Sequence, residues 1–132
     1  MSMKIESDLP KDLEELMHNM IGAAIEVHRH LGPGFIESIY EQALCHELSL
    51  RGIKFERQKE IVITYKGFKM AGQRLDILVE GKLILELKSV EQIVPIHIAQ
   101  LISYLKSTGL RAGLLINFNV QQLRSGIKRV IV

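Results

Sequence analysis

This chain of 132 residues has one cysteine, no long apolar run and little excess of charge of either sign. The single cysteine, Cys45, excludes an internal disulfide and fits a reducing compartment such as the cytoplasm. No apolar run approaches the ~20 residues that a membrane span requires, and the first residues lack the apolar stretch of a secretory signal. The formal net charge of +2 is too small to argue for nucleic acid by itself. We therefore expect a cytoplasmic protein that does not enter a membrane.

What the chain does contain is an ordinary globular composition. Apolar residues make up 47% of it and charged residues 24%, which is typical of a folded soluble domain. The chain has no internal repeat, low-complexity tract or long linker, and its length is enough for one sizeable core. We therefore expect residues 1–132 to form a single domain.

Two helices are predicted in the first part of the chain. Apolar residues recur at helical spacing from residue 13 to about residue 30, and again from about residue 35 to residue 51. Between them, residues 31–34 contain two glycines and a proline, which cannot continue a helix. Asp12, or the pair at positions 7 and 8, is expected to cap the first helix.

Between residues 55 and 88 the apolar pattern changes to a period of two, which predicts strands. Turn residues such as Lys66 and Gly67 divide them into an antiparallel meander. A helix with proline in its first turn follows, and then an apolar run typical of an inner strand. The expected elements are strands 61–65, 74–79 and 83–88, with the turn after the first strand leading into residues 68–70 as its hairpin partner, then helix 95–107, strand 112–117 and an edge strand 127–132. Counted without the edge strand, the order α-α-β-β-β-α-β predicts a mixed α/β fold.

Charged side chains interrupt two of the predicted strands. In the strand at residues 83–88, alternate side chains share a face, so Glu86 and Lys88 lie together with Ile84, opposite the leucines. In the preceding strand, Asp76 is the one acid within an apolar run. A buried unpaired charge costs several kcal/mol or more, so these groups require a partner or a metal. The pattern predicts a divalent metal site, the alternative being a structural ion pair of Asp76 and Lys88.

Helical projection adds three candidates to this group. Gln100 and Tyr104 cluster beside the core-facing stripe of the predicted helix 95–107. Glu37 lies near the apolar face of the helix 35–51, although Glu47 also projects onto that face. Projection alone therefore leaves open which acid of this helix faces the site.

Residues 34–40, which read Gly-Phe-Ile-Glu-Ser-Ile-Tyr, resemble the defining stretch of the GxxExxY family, a branch of the PD-(D/E)XK nuclease superfamily. The resemblance covers most of the chain, from about residue 20 to residue 118. Its motifs stand in the superfamily's order at residues 30–35, 74–76, 86–88 and 100–105. The resemblance implies a restriction-endonuclease-like core, in which a mixed central sheet is flanked by helices.

The resemblance also implies a role for each candidate. Asp76 matches the motif acid of the second core strand, although Leu75 stands where a proline often precedes that acid. Glu86 and Lys88 match the E-x-K of the third strand. Glu37 matches the acid from the first core helix. The signature Q-x-x-x-Y of the exonuclease-like branch is matched by Gln100 and Tyr104.

The implied chemistry is metal-assisted hydrolysis of a phosphodiester. Asp76, Glu86 and the Leu87 backbone carbonyl would bind Mg²⁺ or Mn²⁺, with Glu37 binding directly or through water. Lys88 would position the attacking water or stabilise charge on the phosphate. The remaining pair, Gln100 and Tyr104, would orient Lys88, the acids or a substrate phosphate.

Two functions of different class follow from this pattern. The first is a Mg²⁺- or Mn²⁺-dependent nuclease acting on DNA. The second is a catalytically inactive module that keeps the nuclease fold to bind nucleic acid or a protein partner. A basic rim for binding could come from Lys54, Arg57, Lys59, Lys66, Lys69, Arg111, Arg124, Lys128 and Arg129. Homodimerisation through the first helix or the 127–132 edge is compatible with both, and the sequence shows no element that would read bases.

Overall fold

A computed structural model provides the structure, which describes residues 9–132. It contains three α-helices in this range: α1 (Lys11–Leu31), α2 (Glu37–Leu50) and α3 (Pro95–Thr108). All three were predicted within a few residues at each end, α1 and α2 from helical spacing and α3 from the proline of its first turn. A single 3-10 turn over Leu123–Gly126 was not predicted. No helix within the described residues is both long and apolar enough to cross a membrane.

The predicted cap of α1 is wrong in part. The residue at the N-cap is Pro10, and no side chain caps this end of the helix. Asp12 lies inside the first turn, where it forms an ion pair with Lys82 at 2.8 Å. Positions 7 and 8 lie outside the described residues. Proline, whose fixed backbone angle suits the start of a helix, therefore begins α1 without a side-chain acceptor.

The strands form one five-stranded mixed sheet. They are β1 (Phe55–Tyr65), β2 (Phe68–Val79), β3 (Leu83–Lys88), β4 (Ala112–Asn117) and β5 (Ile127–Ile131), and their order in the sheet is the order of the chain. β3 and β4 are parallel, joined by α3, and the other neighbours are antiparallel. All six residues of β4 are buried, as the apolar run predicted.

Helices cover both faces of this sheet. On one face, α1 and α2 pack over Leu83, Leu85 and Leu87 of β3. On the other face, α3 packs over Ile84. The predicted alternation along β3 is therefore confirmed, and it directs Glu86 and Lys88 towards the α3 side.

A buried tyrosine organises the loop that leads into α2. Tyr40 is fully buried and stacks on Phe118 with ring centroids 4.5 Å apart. Its hydroxyl donates to the Gly32 carbonyl and accepts the Phe35 backbone N–H. Tyr40 thus fastens the break between the two helices, just before Glu37 begins α2.

The β1–β2 hairpin extends beyond the rest of the sheet. β1 and β2 pair along most of their length, but β2 pairs with β3 only over Ile77–Val79. The tight turn at Lys66 and Gly67 has positive φ at both residues, 47° and 81°. Two positive values are what a two-residue hairpin requires, so the predicted turn is confirmed.

Candidate active site

Asp76 and Glu86 lie where the backbone pairing of β2 and β3 stops. The last backbone pair is Ile77 with Leu85, and the next position brings Asp76 opposite Glu86. There the Asp76 N–H donates to Glu86 Oε1 at 3.1 Å. The Leu87 N–H donates to Asp76 Oδ2 at 2.9 Å. Each carboxylate accepts a backbone N–H at the place where the ladder ends, which fixes both side chains in orientation.

The two carboxyl groups share an environment that disfavours charge. Glu86 is only 4% exposed, and burial, followed by the nearby Asp76 charge, raises its pKa to about 8. Burial also raises the pKa of Asp76, against the lowering effect of the bond from Leu87. Two buried acids in contact cannot both ionise easily without a cation. Asp76 and Glu86 together therefore favour binding of a proton, or of a cation in its place.

Lys88 is held on the same side by α3. Its ammonium Nζ lies 3.5 Å from Gln100 Oε1, rather than in an ion pair with Asp76. The backbone carbonyl of Lys88 accepts the Phe118 N–H at 3.0 Å. The structure therefore brings Lys88 and Gln100 together, and the alternative of a structural Asp76–Lys88 ion pair is not what it shows.

The loop that follows Lys88 is fastened by a buried amide. Asn117 is 1% exposed, and its Oδ1 accepts the Val90 and Asn119 backbone N–H groups at 3.1 and 3.2 Å. Its Nδ2 donates to the Val90 carbonyl at 3.0 Å. Because these bonds join Val90 to the end of β4, they limit the movement of the end of β3.

Glu37 and Tyr104 border the acids less directly. Glu37, the first residue of α2, is exposed and makes no hydrogen bond to the acids, but partial desolvation and then the Asp76 charge raise its pKa. Tyr104 accepts a hydrogen bond from Gln73 Nε2 instead of contacting Lys88. Burial and then the charges of Glu86 and Asp76 raise the pKa of Tyr104, so its hydroxyl keeps its proton.

Glu41, which sequence reasoning missed, is the buried acid of α2. It is 6% exposed and accepts from the Arg57 guanidinium at 2.7 and 3.2 Å. Gln58 Nε2 donates to its other oxygen at 2.7 Å. Glu47, the residue suggested by projection, instead pairs with Arg51 near the end of the helix. The i+4 spacing from Glu37 to Glu41 was the signal available in the sequence.

Gln58 is the second residue that sequence reasoning missed. The pairs on either side of it, Arg57 with Ile77 and Lys59 with Leu75, place Gln58 opposite Asp76. Its Nε2 lies 3.5 Å from Asp76 Oδ1 and also bonds Glu41. Gln58 has φ of +49° in the middle of a strand, a conformation that costs a non-glycine residue roughly 1–2 kcal/mol. Strain of this size at an ordered position is typical of a functional site.

The strained position coincides with a change of face. Leu75 packs in the cluster under α3, whereas Ile77 packs under α1 and α2, although residues two apart in a regular strand share a face. In β1 the same change separates Phe55 from Ile61. The hairpin therefore twists from one side of the sheet to the other at Gln58 and Asp76. No periodicity in the sequence indicates this.

The ligand atoms that this site offers are of the chemical type that binds a hard divalent cation. Asp76 and Glu86 supply carboxylate oxygens, which Mg²⁺ and Mn²⁺ prefer, and a cation would relieve the repulsion that raises their pKa values. Among residues 9–132, no group of three or more histidine, cysteine or acidic side chains is arranged as a metal site. A further ligand would have to come from the backbone, from water or from substrate phosphate.

The order of acids and lysine on this sheet agrees with a family comparison. A family model of the PD-(D/E)XK nuclease superfamily matches residues 14–130, and the chain belongs to that superfamily. Its five-stranded mixed sheet, flanked by helices, has the restriction-endonuclease-like fold predicted from the motifs. No curated protein and no solved structure matched the chain significantly.

Proposed function

We propose that this protein is a Mg²⁺- or Mn²⁺-dependent nuclease that hydrolyses phosphodiester bonds of DNA. The observation that carries the proposal is the contact of Asp76 with Glu86 at the end of β2–β3 pairing, with Lys88 on the same side. Nucleases of this superfamily generally use divalent metals. The pair of acids and the lysine supply opposite charges at one point, as phosphoryl transfer requires.

Asp76 and Glu86 would hold the ion, with the Leu87 carbonyl and Glu37 as further ligands. Glu37 would bind directly or through water, consistent with its place at the start of α2 near Asp76. An ion bound there supplies polarisation of the phosphoryl oxygen and a bound water of lowered pKa. Gln58, bridging Glu41 and Asp76, would keep the Asp76 carboxylate oriented towards that position.

Lys88 would stabilise negative charge on the phosphate. Gln100 accepts from its ammonium at 3.5 Å, which leaves two of the three N–H donors for substrate and water. Tyr104, whose oxygen already accepts from Gln73, would use its own proton as a donor towards the acids or a phosphate oxygen. The two α3 residues therefore act by orientation and hydrogen bonding, without a change of charge.

We further propose that the chain belongs to the GxxExxY branch of the superfamily and that residues 1–132 form one domain. Gly34, Glu37 and Tyr40 stand at the spacing of that motif. The structural role of the motif tyrosine is visible here, because Tyr40 holds the loop before α2 through Gly32 and Phe35. The motif glutamate then begins the helix beside Asp76.

The test is cleavage of single- and double-stranded DNA with Mg²⁺ or Mn²⁺, with EDTA as the metal-free control. Asp76→Asn and Lys88→Ala should each lower the rate at least about 100-fold, whereas the exposed Glu91→Gln should not. Cleavage that survives both substitutions would reject the assignment. Salt-sensitive DNA binding without turnover would instead assign the fold to a binding module.

A further inference from the structure

We infer that the β1–β2 hairpin binds the single-stranded DNA segment next to the scissile bond, an inference that rests on the proposed nuclease function. The hairpin arm is defined as residues 59–74. It begins next to Gln58 on β1 and ends two residues before Asp76 on β2. The arm is thus joined through one or two residues of the chain to Gln58 and Asp76 of the candidate site.

The charge of the arm is the first argument. The arm contains four basic residues and one acid, Glu60, which gives it a charge of +3, while the whole chain has +2 and the remainder therefore −1. The basic residues are Lys59, Lys66, Lys69 and Arg74. Only Lys59 forms an ion pair within the described residues, with Glu56 at 3.4 Å. The excess positive charge of this protein is therefore concentrated beside its acids and available to phosphates.

Exposed apolar side chains on the same arm are the second argument. Val62, Tyr65, Phe68 and Met70 are 51%, 61%, 67% and 39% exposed. Tyr65 and Phe68 face each other across the turn. Basic residues interleaved with exposed aromatic rings suit single-stranded nucleic acid, because unpaired bases stack on the rings while the phosphates meet the lysines. Two copies of this arm placed against each other would instead bring like charges together.

The arm lies alongside α3, and the two elements together give the DNA strand a path. Near the acids, Gln73 bonds Tyr104. Farther out, a cleft of about 340 Å³ is lined by Val62, Ile63, Thr64, Lys106 and Ser107. Hydroxyl and ammonium groups of this cleft are donors suited to phosphate oxygens. The eight residue steps from Phe68 to Asp76 span about 26 Å at roughly 3.3 Å per step, so the arm can contact several nucleotides.

Binding of a fluorescein-labelled 20-nucleotide single-stranded DNA, measured by anisotropy in EDTA at several salt concentrations, tests the inference. Lys66→Gln/Lys69→Gln should lower affinity about 10-fold and reduce the salt slope by about 1.4, from two lost phosphate contacts at about 0.7 each. The matched control, Lys11→Gln/Lys82→Gln, removes the same charge from exposed positions at the start of α1 and in the turn before β3. It should retain most of the affinity and salt slope.

Phe68→Ser tests stacking separately. It should lower affinity about 5-fold or more at an unchanged salt slope, as expected for one stacked base. Leu50→Ser is its control, because Leu50 is 69% exposed at the end of α2, against 67% for Phe68. Far-ultraviolet circular dichroism and thermal melts should show that all variants remain folded.

The outcomes separate this inference from the proposed nuclease. Arm variants that bind DNA like their controls overturn the inference, even if the wild-type chain cleaves DNA. If both arm variants lose affinity as expected but the wild-type chain never cleaves DNA, the inference about the arm is supported and the proposed nuclease function is rejected. Variants that change the molar mass in light scattering, with DNA binding equal to the controls, would make the arm an interface between copies and overturn the inference.

Discussion

The backbone N–H of Asp76 donates to the side chain of Glu86, so that one acid of the candidate site is positioned by the other acid's main chain. The Asp76 carboxylate in turn accepts from the Leu87 N–H. These two bonds bring two buried carboxyl groups together where the strand ladder stops. The cost of that arrangement, and its relief by a cation, can be measured.

Glu86→Gln should stabilise the protein at neutral and alkaline pH. The folded-state pKa of Glu86, about 8, lies above its ordinary value of 4.5, so the folded state binds more protons than the unfolded state between these values. The stability from the protonated acid is fully present below about pH 4.5 and is lost as the pH rises towards 8. Glutamine keeps the oxygen acceptor for Asp76 without this loss.

We therefore expect Glu86→Gln to exceed the wild type by roughly 3–4 kcal/mol at pH 7.5 and nearly to equal it at pH 4.5. Urea unfolding at both pH values checks this, with the exposed Glu91→Gln as control. A difference that is the same at both pH values would contradict the cause assigned to the raised pKa.

Metal binding should release a proton. At pH 7 the buried pair of acids retains a proton that Mg²⁺ or Mn²⁺ would displace. Calorimetric titrations in two buffers of different ionisation enthalpy should report release of about one proton at pH 7 and much less at pH 9. Asp76→Ala/Glu86→Ala should abolish the binding. Metal binding of equal strength in that double variant would place the ion elsewhere.

Gln58→Ala and Gln58→Gly should reduce cleavage equally but differ in stability. Both remove the amide that contacts Glu41 and Asp76, so both leave Asp76 less well oriented. At φ of +49° glycine is unstrained whereas alanine is not, so the glycine variant should be more stable by about 1 kcal/mol. Unfolding and single-turnover cleavage measure the two effects. Wild-type cleavage rates in both would remove Gln58 from the site.

Asn117→Ala should destabilise the protein by roughly 2–3 kcal/mol, because it leaves the Val90 backbone groups and the Asn119 N–H without their buried partner. Asn119→Ala is the matched control, since the Asn119 side chain makes only a 3.4 Å contact to the same carbonyl. Urea unfolding compares the two. Equal effects would show that the amide of Asn117 does not fasten the loop after Lys88.

Local patterns in the sequence predicted a large part of this arrangement. Helical spacing predicted α1 and α2, and the proline of its first turn predicted α3. Alternation in β3 predicted that Glu86 and Lys88 share a face opposite Leu87. The turn at Lys66 and Gly67 was also predicted correctly, though β1 begins at Phe55, six residues before the predicted strand. Such features depend on neighbours a few residues apart, which periodicity reports directly.

The polar contacts around Asp76 and Glu86 could not be predicted from local patterns in the sequence. Glu41 was missed because its burial depends on Arg57 and Gln58, which reach it from another element. Tyr104 was expected to orient Lys88 or the acids, yet Gln73 on the hairpin is its hydrogen-bond partner. These contacts join residues 16 or more positions apart, and a charge pattern along the chain does not specify which of them meet.

By itself, the sequence determined the order of the elements, the alternating faces of β3 and the succession of motifs that contains Asp76, Glu86 and Lys88. Only the tertiary structure decided how β2 changes face at Asp76 and which partners each buried charge obtains. The physical reason is that Gln58 has a positive φ, a backbone conformation that its local sequence disfavours. Its side chain is bound by Glu41 and Asp76, which come from two other elements, and the sequence around Gln58 does not specify these contacts.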